Sequence, residues 1–278
     1  MGNLNKRIIG LITDFGTRGL HYVATIKAVI LNINPNVHII DINHNVSRHN
    51  LYEASFLIKA CYNYFPNDSI FVIVVDPGVG SLREIVAIKI TSNYYFIGPN
   101  NGIFTNLFTL NDIVECVNIK NEKYFLKPVS NTFHGRDIMA PVAAYISKNH
   151  DLKEFGPPFN PKDLVEIPYK YKISLSDRKI EAMIIYIDEF GNSITNVPLN
   201  QEKIGNSLLT LKEGDKIHLF INDKEYIGPF TTYYNNVEKN SILFLEGSSG
   251  LLEISLNQGN AAERMGFKVG DTIIIRIN

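Results

Sequence analysis

Apolar positions in the first 75 residues follow two alternating spacings. Continuous apolar runs occur at "RIIGLIT" (7–13), "VHIIDIN" (37–43) and "SIFVIVV" (69–75), and segments with helical spacing lie between them at "YVATIKAVILNI" (22–33) and "LYEASFLIKACYNYF" (51–65). Short apolar runs without polar alternation are typical of strands that are covered on both faces of a sheet. The order of these elements therefore predicts an N-terminal α/β domain with a mostly parallel, Rossmann-like sheet.

The pattern changes near residue 156. The segment "GPPFNPKDLVEIPYKYKI" (156–173) contains four prolines, which predicts an extended connector. Beyond it, turn signals separate short strand-like runs, namely "IEAMIIYID", "SLLTL", "KIHLFI", "ILFLEG", "LLEISL" and "TIIIRI". This pattern predicts a small β-barrel or sandwich, and the barrel is the form that we expect. We therefore predict two domains, an α/β domain over residues 1–170 and a β-barrel domain over residues 171–278.

Composition and charge restrict the function. The chain has 278 residues, 45% of them hydrophobic, and a net charge of −1. A near-neutral chain without basic runs lacks the charge that nucleic-acid binding requires. No apolar run approaches the length that spans a bilayer. The two cysteines, Cys61 and Cys116, form no disulfide framework. These features predict a cytoplasmic protein with buried thiols, and without a nucleic-acid or membrane partner.

Aspartates follow three of the predicted strands. Asp14 ends the first strand, Asp41 lies in "DINHN" together with His44, and Asp76 begins "DPGVG". Ligands of open parallel sheets bind beyond the carboxyl ends of the strands. Aspartate is also common at turns and helix N-caps, so each of these residues alone suits a structural role. The three together indicate that at least one of them is functional.

Two further polar clusters lie outside the first sheet. The segment "NTFHGRD" (131–137) precedes a helix predicted over 137–149, for which Asp137 is a suitable N-cap. The segment "IDEFGNSITN" (187–196) surrounds an aromatic-glycine turn and is also compatible with a simple hairpin turn. Four histidines lack the spacing of metal ligands, namely His38, His49, His150 and His218, and no metal site is predicted.

Six motifs occur along the chain in a fixed order. They are "LITDFG", "VVDPGVGSLR", "GPNNG", "TFHGRD" with "APVAA", "IDEFGNSITN" and "GSSGLLEISLNQGNAA". With these motifs the chain resembles the S-adenosyl-L-methionine hydroxide adenosyltransferase family, which is related to the bacterial fluorinase and chlorinase. The resemblance covers nearly the whole chain and both predicted domains.

The resemblance implies an enzyme whose substrate is S-adenosyl-L-methionine (SAM). Water attacks C5′ of SAM, giving adenosine and L-methionine, and no cofactor takes part. The family fold is an α/β domain joined to a β-barrel. Members are similar in forming homotrimers, with SAM between the N-terminal domain of one subunit and the C-terminal domain of its neighbour.

The resemblance also implies roles for individual residues. The set that positions the attacking water maps onto Asp76, Arg83 and His134. Asp14 matches the carboxylate that binds the ribose hydroxyls. The remaining substrate-binding positions are Thr132 and Phe133 in the α/β domain and Asp188, Asn192 and Ser248 in the barrel.

Some positions depart from the family pattern or discriminate between its branches. Gly19 stands where many members have aspartate, and Asn100 stands where aspartate is usual. The halogenating relatives have tyrosine in place of Asp76 and Tyr-Ser in place of His134–Gly135, so this chain favours water over halide. The alternatives are a SAM-dependent halogenase, a non-catalytic SAM-binding module and a generic α/β nucleoside hydrolase, which would release adenine rather than adenosine. From spacing alone, Asp76 and Arg83 also suit a turn-stabilising ion pair, with His134 as an ordinary loop histidine.

Overall fold

The computed structural model describes residues 7–105, 107–108, 110–169, 171–200, 203–204 and 209–278. The chain forms two compact units, which divide between Ile167 and Pro168. This division lies inside the proline-containing connector, because an extended segment makes few contacts across it. None of the helices in the described part of the chain is long and apolar enough to cross a bilayer.

The N-terminal unit contains one six-stranded sheet. Its strands are β1 (Ile8–Thr13), β2 (His38–Asn43), β3 (Ile70–Val74), β4 (Ile85–Ile90), β5 (Tyr95–Pro99) and β6 (Ile113–Asn118), in the order β2-β1-β3-β5-β4-β6. β1 is parallel to β2 and β3, and β3 is parallel to β5, but β4 is antiparallel to both neighbours. A short turn joins β4 to β5, and such a connection permits only antiparallel pairing. The sheet is therefore mixed, and a Rossmann-like, mostly parallel arrangement is not confirmed.

Helices cover both faces of this sheet, as the crossover pattern predicts. They are α1 (Leu20–Ile33), α2 (Leu51–Cys61) and α3 (Ala140–Ser147), with a π-helix over Gly135–Met139 directly before α3. Ile26 of α1 and Val142 of α3 share one apolar cluster with β1 and β3, whereas Ile58 of α2 belongs to the cluster on the opposite face. β3 is buried along its whole length. β2 is largely exposed, so the prediction of coverage on both faces is wrong for this edge strand.

The C-terminal unit is an antiparallel, nearly closed barrel, which confirms the predicted class of this domain. Its strands are β7 (Lys172–Ser174), β8 (Lys179–Ile187), β9 (Ser193–Asn200), β10 (Lys203–Ile204), β11 (Lys216–Ile221), β12 (Lys224–Pro229), β13 (Ile242–Glu246), β14 (Leu251–Leu256) and β15 (Thr272–Ile277), with α4 (Ala261–Met265) between the last two. The main path runs β12-β11-β15-β8-β9-β14-β13. A bridge between Phe230 and Phe244 brings its two ends together. The predicted strand "SLLTL" lies partly outside the described residues.

Candidate active site

A buried ion pair lies just beyond β3. The chain turns twice after Asp76, with hydrogen bonds from Val79 N to the Asp76 carbonyl and from Ser81 N to the Gly78 carbonyl, and these turns bring Arg83 back to Asp76. Arg83 Nε donates to Asp76 Oδ1 over 2.7 Å, and Arg83 Nη2 donates to Asp76 Oδ2. The two side chains are 10% and 6% exposed, respectively. A buried, forked pair of this kind fixes the orientation of both groups.

His134 completes this cluster. Its Nδ1 atom lies 3.1 Å from Arg83 Nη2. A guanidinium group only donates hydrogen bonds, so Nδ1 accepts, and the neutral imidazole carries its proton on Nε2. Burial lowers the pKa of His134, and the nearby positive charge of Arg83 lowers it further, whereas Asp76 and Asp137 act in the opposite direction. The structure therefore brings the three predicted catalytic residues together, with a neutral His134 at neutral pH.

The helix that carries His134 begins earlier than the sequence predicts. Asp137 lies inside the π-helix rather than at an N-cap, so that prediction is wrong. Its fully buried carboxylate accepts two hydrogen bonds from Arg136, over 2.6 and 2.9 Å, and one from Ser130 N over 2.8 Å. The Asp137 carboxylate can be buried because these hydrogen bonds replace the bonds to water that an exposed N-cap carboxylate makes. It ties the π-helix to the loop before His134.

Two glycines allow the close approach of the elements around His134. A Cβ on Gly135 would lie 2.7 Å from Val74 Cγ1, so the π-helix approaches β3 too closely for a side chain. Gly80 has a left-handed φ of 80°, and a Cβ there would clash with the carbonyl oxygen of Asn131. The loop of residues 76–83 and the loop of residues 130–134 therefore contact each other through backbone atoms, and glycine is required at position 80.

Asp14 lies at the same edge of the sheet as Asp76. Thr13 of β1 pairs with Val74 of β3, so the chain leaves both strands at neighbouring positions. The Asp14 side chain is 12% exposed, and its Oδ2 atom accepts a hydrogen bond from His49 N over 3.0 Å. The carboxylate is therefore held by the backbone and still reaches the surface.

An aromatic cluster joins the turn of Asp14 to the segment of His134. Phe133 contacts Phe15 and Tyr22 edge to face, with ring centroids 5.7 and 5.3 Å apart, and Arg136 lies 5.0 Å over the Phe133 ring. Thr132 is exposed, and its N–H donates to Ser130 Oγ. Sequence reasoning missed Phe15 and Tyr22. The motif "TDFG" contained a signal for Phe15, whereas the helical spacing around Tyr22 resembled that of a core position.

The two departures from the family pattern have local structural reasons. A Cβ on Gly19 would lie 2.7 Å from the Phe15 Cβ, so an aspartate at this position requires the turn of Phe15 to shift. Asn100 is buried, donates to the carbonyl of Asp163 over 3.3 Å and accepts from Val165 N over 2.8 Å. An aspartate cannot make the first of these bonds. Asn100 therefore braces β5 against the connector.

In the barrel, Asp188 and Asn192 lie together in the turn between β8 and β9. Asp188 Oδ1 accepts from Phe190 N and Asn192 N, and its Oδ2 accepts from Asn192 Nδ2, each over 2.9 Å. These bonds give Asp188 the structural role of closing the turn. The turn also borders a pocket of about 610 Å³, whose wall includes Asp188, Phe190, Asn192, Tyr234, Asn257 and Gln258.

Two aromatic residues of this pocket were missed by sequence reasoning. Phe190 is 76% exposed, which is high for a phenylalanine. Tyr234 Oη donates to the buried Glu253 over 2.7 Å, and burial together with this carboxylate raises the pKa of Tyr234. Phe190 lies in the motif "IDEFGNSITN". Tyr234 lies in no motif of the sequence, and it reaches the pocket only because the barrel strands bring it there.

Ser248 lies apart from this pocket. It occupies an exposed turn between β13 and β14, whereas the pocket lies at the far end of β14, beside Leu256. The six residues of β14 separate the two positions by about 20 Å, at about 3.3 Å per residue. Within the barrel, the structure therefore does not bring Ser248 together with Asp188 and Asn192. No group of three His, Cys, Asp or Glu side chains in the described ranges has the arrangement of metal ligands.

Family comparison identifies the class of protein to which this fold and site belong. The model of the SAM hydroxide adenosyltransferase N-terminal domain matches residues 9–156, and the model of the C-terminal domain of the same family matches residues 182–274. The chain belongs to the SAM hydroxide adenosyltransferase family. The family predicted from the six motifs is confirmed.

Individual relatives agree with this assignment. The chain is 36% identical to a protein of Methanocaldococcus jannaschii named (R)-S-adenosyl-L-methionine hydrolase, over 96% of this chain and 95% of that protein. It is 22% identical to the fluorinase of Nocardia brasiliensis, over 99% and 98% of the two chains. A crystal structure of an uncharacterized conserved protein from Thermotoga maritima superposes with a TM-score of 0.86 at 33% identity, covering 96% of this chain and 99% of that one.

Proposed function

We propose that this protein hydrolyses SAM by attack of water on C5′. The C5′–S bond breaks, the sulfur keeps the electron pair as the thioether of methionine, and the new C5′–O bond gives adenosine with release of one proton. The observation that carries this proposal is the buried cluster of Asp76, Arg83 and His134 beyond β3 in a chain of this family. The greater similarity to proteins named hydrolases than to those named fluorinases supports water as the nucleophile.

The chemistry requires positioning of the water more than activation of the leaving group. A sulfonium departs as a neutral thioether, so no negative charge develops on it. Water must instead be aligned opposite the C5′–S bond. Ideal alignment of two reactants contributes about 7–11 kcal/mol to lowering a barrier. The rigid, buried cluster beyond β3 is suited to this task because its three side chains hold one another.

The cluster divides the roles between Asp76 and His134. Arg83 occupies His134 Nδ1, so the Nε2–H of the neutral ring donates a hydrogen bond to the water oxygen. Asp76 keeps unused lone pairs beside its bonds to Arg83, and its carboxylate accepts a proton of the water. The oxygen lone pair that remains is then directed at C5′. In this arrangement His134 orients the water, Asp76 receives its proton, and Arg83 positions both residues.

The other predicted residues bind the substrate in this proposal. Asp14 accepts hydrogen bonds from the two ribose hydroxyls, which suits a carboxylate that is fixed by a backbone N–H and remains accessible. Thr132 and Phe133 line the region of the ribose and the sulfonium, and aromatic rings attract such a cation. Asp188, Asn192 and Ser248 bind from the barrel. The pocket beside Asp188 has the size of small-molecule sites, which are typically about 300–1,000 Å³.

We further propose the assembly that the family resemblance implies. The protein forms a homotrimer, and SAM binds between the N-terminal domain of one subunit and the barrel of its neighbour. In this assembly the N-terminal domain provides the catalytic cluster and the barrel completes the SAM site.

The sulfur configuration is part of the proposal. The relatives are named for the (R) epimer of SAM. The test incubates the purified protein with (R)-SAM and (S)-SAM separately, in ¹⁸O-enriched water at low halide, and identifies the products by mass spectrometry. We expect adenosine labelled at its 5′-hydroxyl, together with methionine, formed faster from (R)-SAM.

Other outcomes of this experiment identify the alternatives. Intact SAM that co-purifies and is never converted indicates a binding module. Formation of 5′-halo-adenosine that depends on added chloride or fluoride indicates a halogenase. Release of adenine in place of adenosine indicates cleavage of the glycosidic bond. Each of these results contradicts hydrolysis at C5′.

A further inference from the structure

His44 contacts both ends of the turn that carries Asp14. It follows β2, and its side chain is 10% exposed. The Nδ1 atom lies 3.0 Å from Thr13 Oγ1, and the main-chain carbonyl of His44 accepts from Gly16 N over 2.7 Å. Thr13 precedes Asp14, and Gly16 ends the turn with a left-handed φ of 67°. A single residue, directly after the neighbouring strand, therefore holds both ends of the four-residue turn from Thr13 to Gly16.

The hydroxyl of Thr13 gives these hydrogen bonds a direction. Thr13 is buried, and its Oγ1 atom accepts from Phe15 N over 3.4 Å. A hydroxyl has a single proton to donate, and Nδ1 of His44 is the acceptor in reach. The chain of bonds therefore runs from Phe15 N–H through the Thr13 hydroxyl to Nδ1 of His44.

The opposite side of the ring of His44 is also constrained. Nε2 lies 3.0 Å from Asp41 Oδ1, but the contact is misaligned for a hydrogen bond, so its attraction is electrostatic. Asp41 in turn accepts from Lys27 Nζ of α1 over 2.5 Å. The pairing of β1 with β2 skips Ile42, and such a bulge redirects the side chains beside it.

The segment that follows His44 contacts Asp14 directly. His49 N donates to Asp14 Oδ2 over 3.0 Å. His44 and His49 therefore bound a segment that contacts the turn at its start, at its carboxylate and at its end. The side chain of His44 is the buried anchor of this segment, whereas the side chain of His49 is largely exposed.

We propose that His44 is a positioning residue for Asp14. By fixing the turn through Thr13 and Gly16, it holds the Asp14 carboxylate in the orientation that binds the two ribose hydroxyls of the nucleoside. This inference rests on the proposed function, in which Asp14 contacts the ribose. His44 itself contacts no substrate in this proposal, so its loss weakens nucleoside binding and leaves the chemical step largely intact.

The test measures calorimetric binding of adenosine and of 2′,3′-dideoxyadenosine to the full-length protein. We expect His44→Ala to weaken adenosine binding about tenfold, the effect of one misplaced hydrogen bond to a charged group, and to leave dideoxyadenosine binding unchanged. His44→Asn should recover most of the affinity, because its amide oxygen lies near the position of Nδ1 and accepts from Thr13. The exposed His38, on the same strand, gives the control variant His38→Ala.

A second readout separates this inference from the proposed function. Amide hydrogen exchange at Phe15 and Gly16, without ligand, should be faster in His44→Ala than in the wild type and in His44→Asn. If His44→Ala does not fold, His44→Gln replaces it, because its longer side chain misplaces the acceptor. Unchanged exchange, or equal losses for both nucleosides, overturns the positioning role. Faster exchange in a protein that does not hydrolyse SAM instead overturns the proposed function alone.

Discussion

At the residue scale, Arg83 is shared by two side chains with different proposed tasks. It neutralises Asp76 through a forked pair and occupies the acceptor nitrogen of His134. This sharing gives the imidazole a defined proton position without a carboxylate partner on Nδ1. The cluster therefore differs from an arrangement in which histidine is the base, because Nδ1, the unprotonated nitrogen of His134, already accepts a hydrogen bond from Arg83.

Substitution of His134 distinguishes a donor from a base. In His134→Gln, the amide N–H lies near the position of Nε2–H, so the variant keeps a donor for the water but has no basic nitrogen. We expect His134→Ala to lower kcat on the order of 10²- to 10³-fold, the usual effect of removing one positioned hydrogen-bond donor. We expect His134→Gln to retain at least tenfold more activity than His134→Ala. Equal kcat values for the two variants, measured at saturating SAM, would contradict the donor role of His134.

The pH dependence follows from the lowered pKa of His134. Burial and then Arg83 place this pKa below 6.5, so the ring stays neutral until the pH falls through the lowered value. Because the neutral ring is the active form in the proposed mechanism, kcat/KM should fall toward acid pH with a midpoint below 6.5. The profile is measured from pH 4.5 to 8. An acid limb with its midpoint at or above pH 6.5 contradicts the assignment, and in His134→Gln this limb should be absent.

At the element scale, backbone contact between two loops fixes the proposed catalytic cluster of Asp76, Arg83 and His134. Gly80 lies in the loop of Asp76 and Arg83 and contacts the backbone of Asn131, three residues before His134. The π-helix, which begins directly after His134, packs Gly135 against Val74 of β3, and π-helical turns occur frequently at functional sites. Each of these elements is short, so the geometry of the site depends on contacts between them rather than on their own stability.

Substitution of Gly80 tests this contact. Gly80→Ala places a Cβ against the carbonyl of Asn131 and also incurs the cost of a left-handed φ. Gly214 has a left-handed φ of 90° and open space where a Cβ would lie. Gly214→Ala therefore incurs the cost of the left-handed φ but no clash. Both variants should lose about 1–2 kcal/mol of unfolding free energy from φ strain. Only Gly80→Ala should also lower kcat, by at least tenfold. Equal kcat values for Gly80→Ala and Gly214→Ala would show that the close contact of Gly80 with Asn131 is not needed for activity.

At the scale of the whole molecule, the proposed trimer makes every site depend on two subunits. Asp76 belongs to the N-terminal unit and Asn192 to the barrel. A site that draws on two neighbouring chains is therefore restored when one chain provides an intact N-terminal unit and its neighbour an intact barrel. A site within one chain is not restored in this way.

Co-expression of two inactive variants tests this assembly. An intact site needs the N-terminal unit of an Asn192→Ala chain and the barrel of an Asp76→Ala chain. Random mixing of the two kinds of subunit in a cyclic trimer should therefore leave about one quarter of the sites intact and about one quarter of the wild-type activity. The control pair, Asp76→Ala with His134→Ala, should stay inactive because both changes fall in the same unit. No recovery in the first pair, or a monomer by light scattering, contradicts the shared site.

Much of the fold and of the site could be predicted from local patterns. The strands around Leu11 and Val72, the helices between them and the motif of Asp76 follow from the spacing of apolar residues and from short motifs. Five strands were not predicted, namely β6, β7, β9, β10 and β12. β9 was missed because it begins within a motif that resembles a turn and continues through Pro198. Tyr234 was missed for a related reason, since its place in the pocket depends on strands distant in sequence.

The sequence by itself determined the family, a helix-covered sheet followed by a barrel, and the residue types of the proposed catalytic cluster, because periodicity and motif order are properties of the chain. Only the tertiary structure decided how those residues act on one another. The mixed sheet, the burial of Asp137 inside a π-helix, the bond from Arg83 to His134 and the clamp of His44 on the Asp14 turn join residues that are distant along the chain. Such contacts depend on which atoms meet in the folded core, and no local pattern specifies that.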